Sequence, residues 1–206
     1  SKKANSIQQV LMCEGFSATG QQVTLLHPSR GELFERVSWS EIADFYGLSS
    51  PFDIQTLPSL QGRIQRVPQI GVLSMAGSIT SWLVFRLLTG KVGPSDIVYG
   101  RNYYGLFFFN EIRKLLPEDK QPTIVFEHHD EFTPHFKPRF FRTIDYCVCT
   151  SDRLKERNLS MYPLQESQCV VVPHGVNTEK YDSIQKYNAR ERVEIPQDDT
   201  VVMYTG

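Results

Sequence analysis

Short apolar runs rich in β-branched residues recur along the chain, and they constrain its fold more than any other feature. Gln22–Leu26, Phe52–Leu57, Asp96–Tyr99, Thr123–Phe126, Asp145–Cys149 and Cys169–Val172 are four to six residues long and mostly lack the in–out alternation of a half-wet sheet. Runs of this kind read as strands buried on both faces, and that burial is the mark of a parallel sheet covered by helices. Helical patterns separate most of them. Ala4–Thr19 carries Ile7, Val10 and Leu11 at helical spacing and stops at Gly20. A short helix follows Ser40 and stops at Gly47. A long one spans Ile70–Gly90, an aromatic one Tyr103–Leu116 and a charged one Ser151–Asn158. The alternation predicts an α/β, doubly wound, mostly parallel Rossmann-like sheet.

The long segment Ile70–Gly90 could span a bilayer by length, but Ser74, Ser78, Thr80, Ser81 and Arg86 interrupt it. It reads as a mostly buried helix closed by Gly90. The 22 basic and 23 acidic residues leave a net charge of −1, so no global field recruits nucleic acid. Cys13, Cys147, Cys149 and Cys169 form no C-x-x-C pair. Cys147 and Cys149 lie two apart and share one strand face, which suits buried reduced thiols and a cytoplasmic setting. A modest basic face between His135 and Arg157 is compatible with peripheral contact at a membrane surface.

Both ends look cut. A doubly wound domain opens with a strand and a glycine-rich turn, whereas this chain starts almost at its first helix. At the other end Asn188–Val193 reads as a helix, Pro196–Asp199 as a turn and Thr200–Tyr204 as a fresh strand. The expected division is residues 1–186 as the main domain, its first strand missing, and residues 187–206 as a linker with the first strand of a second domain.

In open α/β sheets ligands lie beyond the carboxyl ends of the strands. Those positions here are His27, Arg101 with Asn102, Glu127-His128-His129-Asp130, Thr150-Ser151-Asp152 and His174 to Asn177, a polar set for such apolar strands. A carboxylate beside a histidine can orient it for proton work, and adjacent residues of an extended segment face opposite ways, so one of the two histidines faces the crevice. Alternation alone does not say which. Arg101 offers a planar fork to a carboxylate or phosphate. Ser151 is a natural helix N-cap whose helix start could also meet an anion. The His/Glu/Asp run lacks the spacing of a zinc site, so no metal or cofactor is expected. There is no G-x-S-x-G, P-loop or G-x-G-x-x-G.

Val171-Val172-Pro173-His174-Gly175-Val176-Asn177-Thr178-Glu179-Lys180-Tyr181 resembles the V-I-P-N-G-V-D-x-x-x-F segment of the family-4 retaining glycosyltransferases. Ala4–Ile7 with the strand after Gly20, Asp96–Arg101, Ile124–Asp130 and Asp145–Ser151 are similar to further segments of that family, in the same order. The resemblance implies one half of a two-domain GT-B enzyme. A sugar would pass with retention from a nucleotide-sugar donor to an acceptor sugar, lipid or small molecule, this half supplying the acceptor side. It implies His129 as the catalytic residue lining the cleft. Asn5, Arg101, Glu127, Ser151, His174, Gly175 and Asn177 are implied substrate contacts. His174 departs from the family's Asn, and no Glu has another eight positions on, so the E-x7-E pair that grips the donor is absent. A nucleotide-sugar epimerase or a non-catalytic sugar- or nucleotide-binding domain are the alternatives. Gly175, between a strand and a turn, is expected to take a positive φ.

Overall fold

The computed structural model describes residues 4–29, 37–59, 68–129, 138–173, 175 and 186–201. They fall into two compact units, Ser1–Pro173 and His174–Gly206.

The first unit runs α1 (Ala4–Ala18), β1 (Thr24–Pro28), α2 (Trp39–Tyr46), β2 (Asp53–Leu57), α3 (Pro68–Leu88), β3 (Ile97–Gly100), α4 (Tyr103–Arg113), β4 (Thr123–His128), α5 (Pro138–Phe141), β5 (Tyr146–Cys149), α6 (Asp152–Met161) and β6 (Cys169–Val171). All ladder pairs are parallel. β1 pairs with β2, and β3-β4-β5-β6 form a second sheet in chain order. Parallel neighbours need crossovers, and α2, α4, α5 and α6 supply them, while α3 leads from the first sheet to the second. The α/β Rossmann-like class expected from the sequence is the one found.

Several boundaries shift for identifiable reasons. β1 starts at Thr24 rather than Gln22 and runs through His27 and Pro28, because its register on β2 ends at Pro28 beside Leu57. α2 begins two residues early. Ser38, not Ser40, is its N-cap, in a capping box with Glu41, and Gly47 closes it at φ 66°. α4 ends at Arg113, whose guanidinium turns inward to the Pro122 and Thr143 carbonyls and to Asp145.

α3 is not mostly buried. Ala76, Thr80 and Leu83 face inward, and Thr80 Oγ1 donates to the Gly105 carbonyl of α4 at 3.1 Å. Ile70, Leu73, Phe85 and Leu88 lie exposed along the other side. By length and composition alone this helix could cross a membrane. The run is largely apolar, but among the described residues its inward stripe is the part that packs against neighbours.

The core lies between β3–β6 and the helices α3, α4, α5 and α6. Phe109, Ile124, Phe126, Phe140, Phe141, Cys147, Cys149 and Leu154 are buried there. α1 is held separately: buried Glu14 accepts from the Ser49 and Ser50 backbone N–H groups, anchoring the helix to the chain ahead of β2.

In the second unit α7 (Lys186–Arg192) is closed by Arg190, which donates to the carbonyls of Pro196, Gln197 and Asp199. Thr200 and Val201 are not in a strand, and the rest of the expected strand to Tyr204 lies outside the described residues.

Candidate functional site

The register of β3 on β4 builds the site. Tyr99 pairs with Val125 and Gly100 with Phe126, so the next step past β3 brings Arg101 beside Glu127. Side chains alternate, so Tyr99, Arg101, Glu127 and His129 all emerge on one face. α1 covers that face. Phe16 meets the Tyr99 ring edge-on at 5.7 Å, and Gln8 Oε1 accepts from Arg101 Nη1 at 3.1 Å. Met12 Sδ lies 3.3 Å from Arg101 Nη2.

Glu127 is the centre of this group. Its Oε2 accepts from the Tyr99 hydroxyl at 2.5 Å and from Arg101 Nε at 2.9 Å. Its Oε1 accepts from Arg101 Nη2 at 2.8 Å and lies 2.5 Å from His129 Nε2. The Glu127 side chain is only 4% exposed, Arg101 11% and His129 23%. Burial alone raises the Glu127 carboxyl. The hydrogen bonds from His129, Arg101 and Tyr99, with the Arg101 charge, outweigh it and hold the group at about 2. Burial, and then the bond to Glu127, push the Tyr99 hydroxyl upward, so it stays a donor.

The sequence offered the Arg101 fork to a ligand; in the fold it is closed on Glu127. Both Glu127 oxygens are likewise taken from within the domain. His129 is more exposed than Arg101 or Glu127.

His128 emerges on the opposite face. It is buried, with Nδ1 2.9 Å from Asn158 Oδ1 and its ring near Phe126 and Phe141. Asn158 Nδ2 points at Cys149 Sγ (3.3 Å) and Cys147 Sγ (3.6 Å), which do share one strand face. This side of β4 is core.

Ser151 caps α6, its hydroxyl accepting from the Leu154 N–H at 3.3 Å. Asn102 caps α4 in the same manner through Gly105. Asn5 lies in α1, three residues before Gln8; its side chain, together with His174, Asn177, Asp130 and His135, lies outside the described residues. Gly175 belongs to the second unit and corrects an expectation. Among the described residues the positive-φ glycines are Gly20, Gly47 and Gly90, and a Cβ on Gly175 would meet nothing within 4 Å. Its backbone is one that any residue can adopt, so the turn there does not demand glycine.

Tyr99, Gln8 and Met12 were not anticipated. Tyr99 had a readable signal: it stands two residues before Arg101 in a strand and so shares its face. Gln8 and Met12 had none, because helical spacing does not say which strand a helix covers. Among the described residues no three His, Cys, Asp or Glu side chains are placed to hold a metal ion. The arrangement is a buried ionised carboxylate that orients an imidazole at the carboxyl ends of two parallel strands, where hydroxyl-bearing ligands can be oriented and protons held.

A Rossmann-like domain with a histidine held at the strand ends is the class that fold and site define. Residues 10–180 match the model of Glycosyltransferase Family 4, and the chain belongs to that family. Among solved structures it is similar to a glycosyltransferase from Rickettsia africae ESF-5, at 14% identity and a TM-score of 0.57. The match covers 93% of this chain and 46% of that one, so the chain spans about half the length of its structural relative. At that identity the likeness shows the fold. No curated protein matches the chain by sequence.

Proposed function

We propose that this chain is the acceptor-side half of a GT-B glycosyltransferase that moves a sugar from a nucleotide-sugar donor to an acceptor hydroxyl with retention at the anomeric carbon. The observation that carries the reading is His129, partly exposed beyond β4 and tied through Glu127 to Arg101. A histidine fixed at that edge can hold a ligand hydroxyl in one orientation, and orientation lowers the barrier to transfer. Arg101, Tyr99 and Glu127 keep the imidazole in place. Charge on the departing diphosphate would be met by the donor-side half.

The test is transfer from a panel of nucleotide sugars by the full-length protein, with the product's anomeric configuration read by NMR. Retained configuration is expected, and the 206-residue chain alone should give no product. Inverted product, no transfer by the full-length protein, or transfer by the chain alone would each overturn part of the reading.

The setting that accompanies this proposal is the cytoplasm, with peripheral contact to a membrane through α3. The exposed Ile70, Leu73, Phe85 and Leu88 support it. Flotation of the protein with neutral and anionic lipid vesicles tests it, and protein left wholly in the soluble fraction with both would refute it.

A further inference from the structure

We propose that the cavity at the amino ends of β1 and β2 is a second carbohydrate site, distinct from the crevice at His129, where a neutral sugar ring is held against Trp39.

Ser17, Gln21, Gln22, Trp39, Phe52 and Asp53 line this cavity. Its volume of about 430 Å³ lies within the range of small-molecule sites. The frame is made by the chain's own contacts. Ser17, near the end of α1, donates from its hydroxyl to the Pro51 carbonyl. The Asp53 N–H donates to the Val23 carbonyl at 2.9 Å, which ties the starts of the two strands together. Trp39 opens α2, whose start is held by the capping box of Ser38 and Glu41. Buried Phe52 meets the Trp39 ring in a T-shaped contact at 4.9 Å, and Trp39 itself stays half-buried.

The polar groups around that ring are uncommitted. Among the described residues the Trp39 indole N–H, the Gln21 and Gln22 side-chain amides and the Asp53 carboxylate make no hydrogen bond within the chain. The indole donates, the carboxylate accepts and the amides do both. A sugar ring carries the matching set: its C–H groups pack on an aromatic surface, and its hydroxyls donate and accept.

Charge narrows the class further. Among the described residues no Lys, Arg or His lines the cavity. A phosphate or a nucleotide would therefore meet the Asp53 carboxylate with no cation to offset it. A purely apolar ligand would strip water from the amides and the carboxylate and leave them unpaired. A neutral polyhydroxylated ring meets both conditions, and a carboxylate can accept from two of its hydroxyls at once.

Position separates this site from the crevice. Thr24 and Asp53 are the first residues of β1 and β2, whereas His129 follows the last residue of β4. On the proposed function a glycan gripped here is an anchored chain and not the ring that reacts; the binding itself does not depend on that reading.

The experiment is nitrogen–proton NMR of the 206-residue chain titrated with maltotriose, cellotriose, mannotriose and triacetylchitotriose, each up to about 20 mM. Trp39→Phe and Trp82→Phe spectra assign the two indole signals. At least one sugar should move the Trp39 indole and the Gln21 and Gln22 side-chain amides and leave Trp82 in place. Trp39→Ala, read on the glutamine amides, should weaken that binding at least about tenfold, and Asp53→Ala about threefold. The Asp53 side chain has no partner within the chain, so its variant gives the answer where Trp39→Ala fails to fold. His129→Ala should leave the binding unchanged. No movement with any of the four sugars overturns the proposal. So does binding that either cavity variant, correctly folded, leaves intact, or that His129→Ala abolishes, which would place the sugar in the crevice. Tetramethylammonium is titrated in parallel, and a shift with it but with no sugar would assign the cavity to a cation and overturn the proposal likewise. Failure of the functional reading looks different: the full-length protein would transfer no sugar while the Trp39 shifts persist.

Discussion

Arg101 and Glu127 stand side by side one step past the last ladder pair of β3 on β4, and their side chains close a two-pronged ion pair at 2.8 and 2.9 Å. Both are largely withdrawn from water, so the pair ties the crevice edge of two strands together and sets the floor on which His129 rests.

Removing one partner should cost far more than a surface pair would. Arg101→Met leaves a buried carboxylate with Tyr99 and His129 as its remaining donors, and the expected loss is about 3 kcal/mol or more. Arg101→Lys keeps the charge but not the fork and should fall between. Urea unfolding of the three proteins checks this; a loss under about 1 kcal/mol for Arg101→Met would mean that water screens the pair.

Acid should weaken the domain in a defined window. The Glu127 carboxyl lies at about 2 in the folded chain against an ordinary 4.5. A lowered folded value contributes stability that is complete above about 4.5 and is lost as pH falls toward 2, on the order of 3 kcal/mol. Glu127→Gln should flatten that part of the stability curve. An unchanged slope between pH 5 and 2 in the variant would contradict it.

The adjacent histidines should separate activity from stability. His129→Ala, at the rim, should reduce transfer by the full-length enzyme at least about tenfold with a small change in melting temperature. His128→Ala strands the Asn158 oxygen and opens space beside Phe141, so it should cost about 2 kcal/mol or more. Thermal unfolding and initial rates on both variants decide, and equal stability losses would contradict the assignment of the two faces.

Two glycines should behave oppositely. A Cβ on Gly105 would lie 3.2 Å from Asn102 Oδ1 and 3.3 Å from Ile79 Cγ2, at the α4 cap and the α3 contact. Gly105→Val should therefore destabilise by about 1–3 kcal/mol. Gly175→Ala meets nothing and needs no special backbone, so its effect on stability should stay within about 0.5 kcal/mol. Melting temperatures of the two variants compare them directly.

Much of the framework was legible because its signals are local. The β-branched runs marked the strands, Gly47 and Gly90 marked helix ends, and Ser151 marked a cap that the fold uses. The positions of Arg101, Glu127 and His129 at strand ends were legible too. What those residues touch was not, since the Arg101–Glu127 pairing depends on the register of β3 against β4, and the contacts of Gln8 and Met12 depend on where α1 lies. Neither register nor helix placement is written in the spacing of one segment. α3 shows the limit from the other side: its composition says apolar, but how many of its sides find neighbours is decided by the rest of the chain.

The alternation along β4 has a consequence for how such a domain can diversify. Ile124, Phe126 and His128 belong to the interior, while Glu127 and His129 belong to the crevice. The rim position His129 can then change without touching the interior set, whereas Glu127, on the same face, is bound by Arg101 and Tyr99 into the stability of the strand ends. Insertions and deletions have no such freedom: one residue gained or lost within the strand would send a carboxylate into the aromatic interior and a phenyl ring into the crevice.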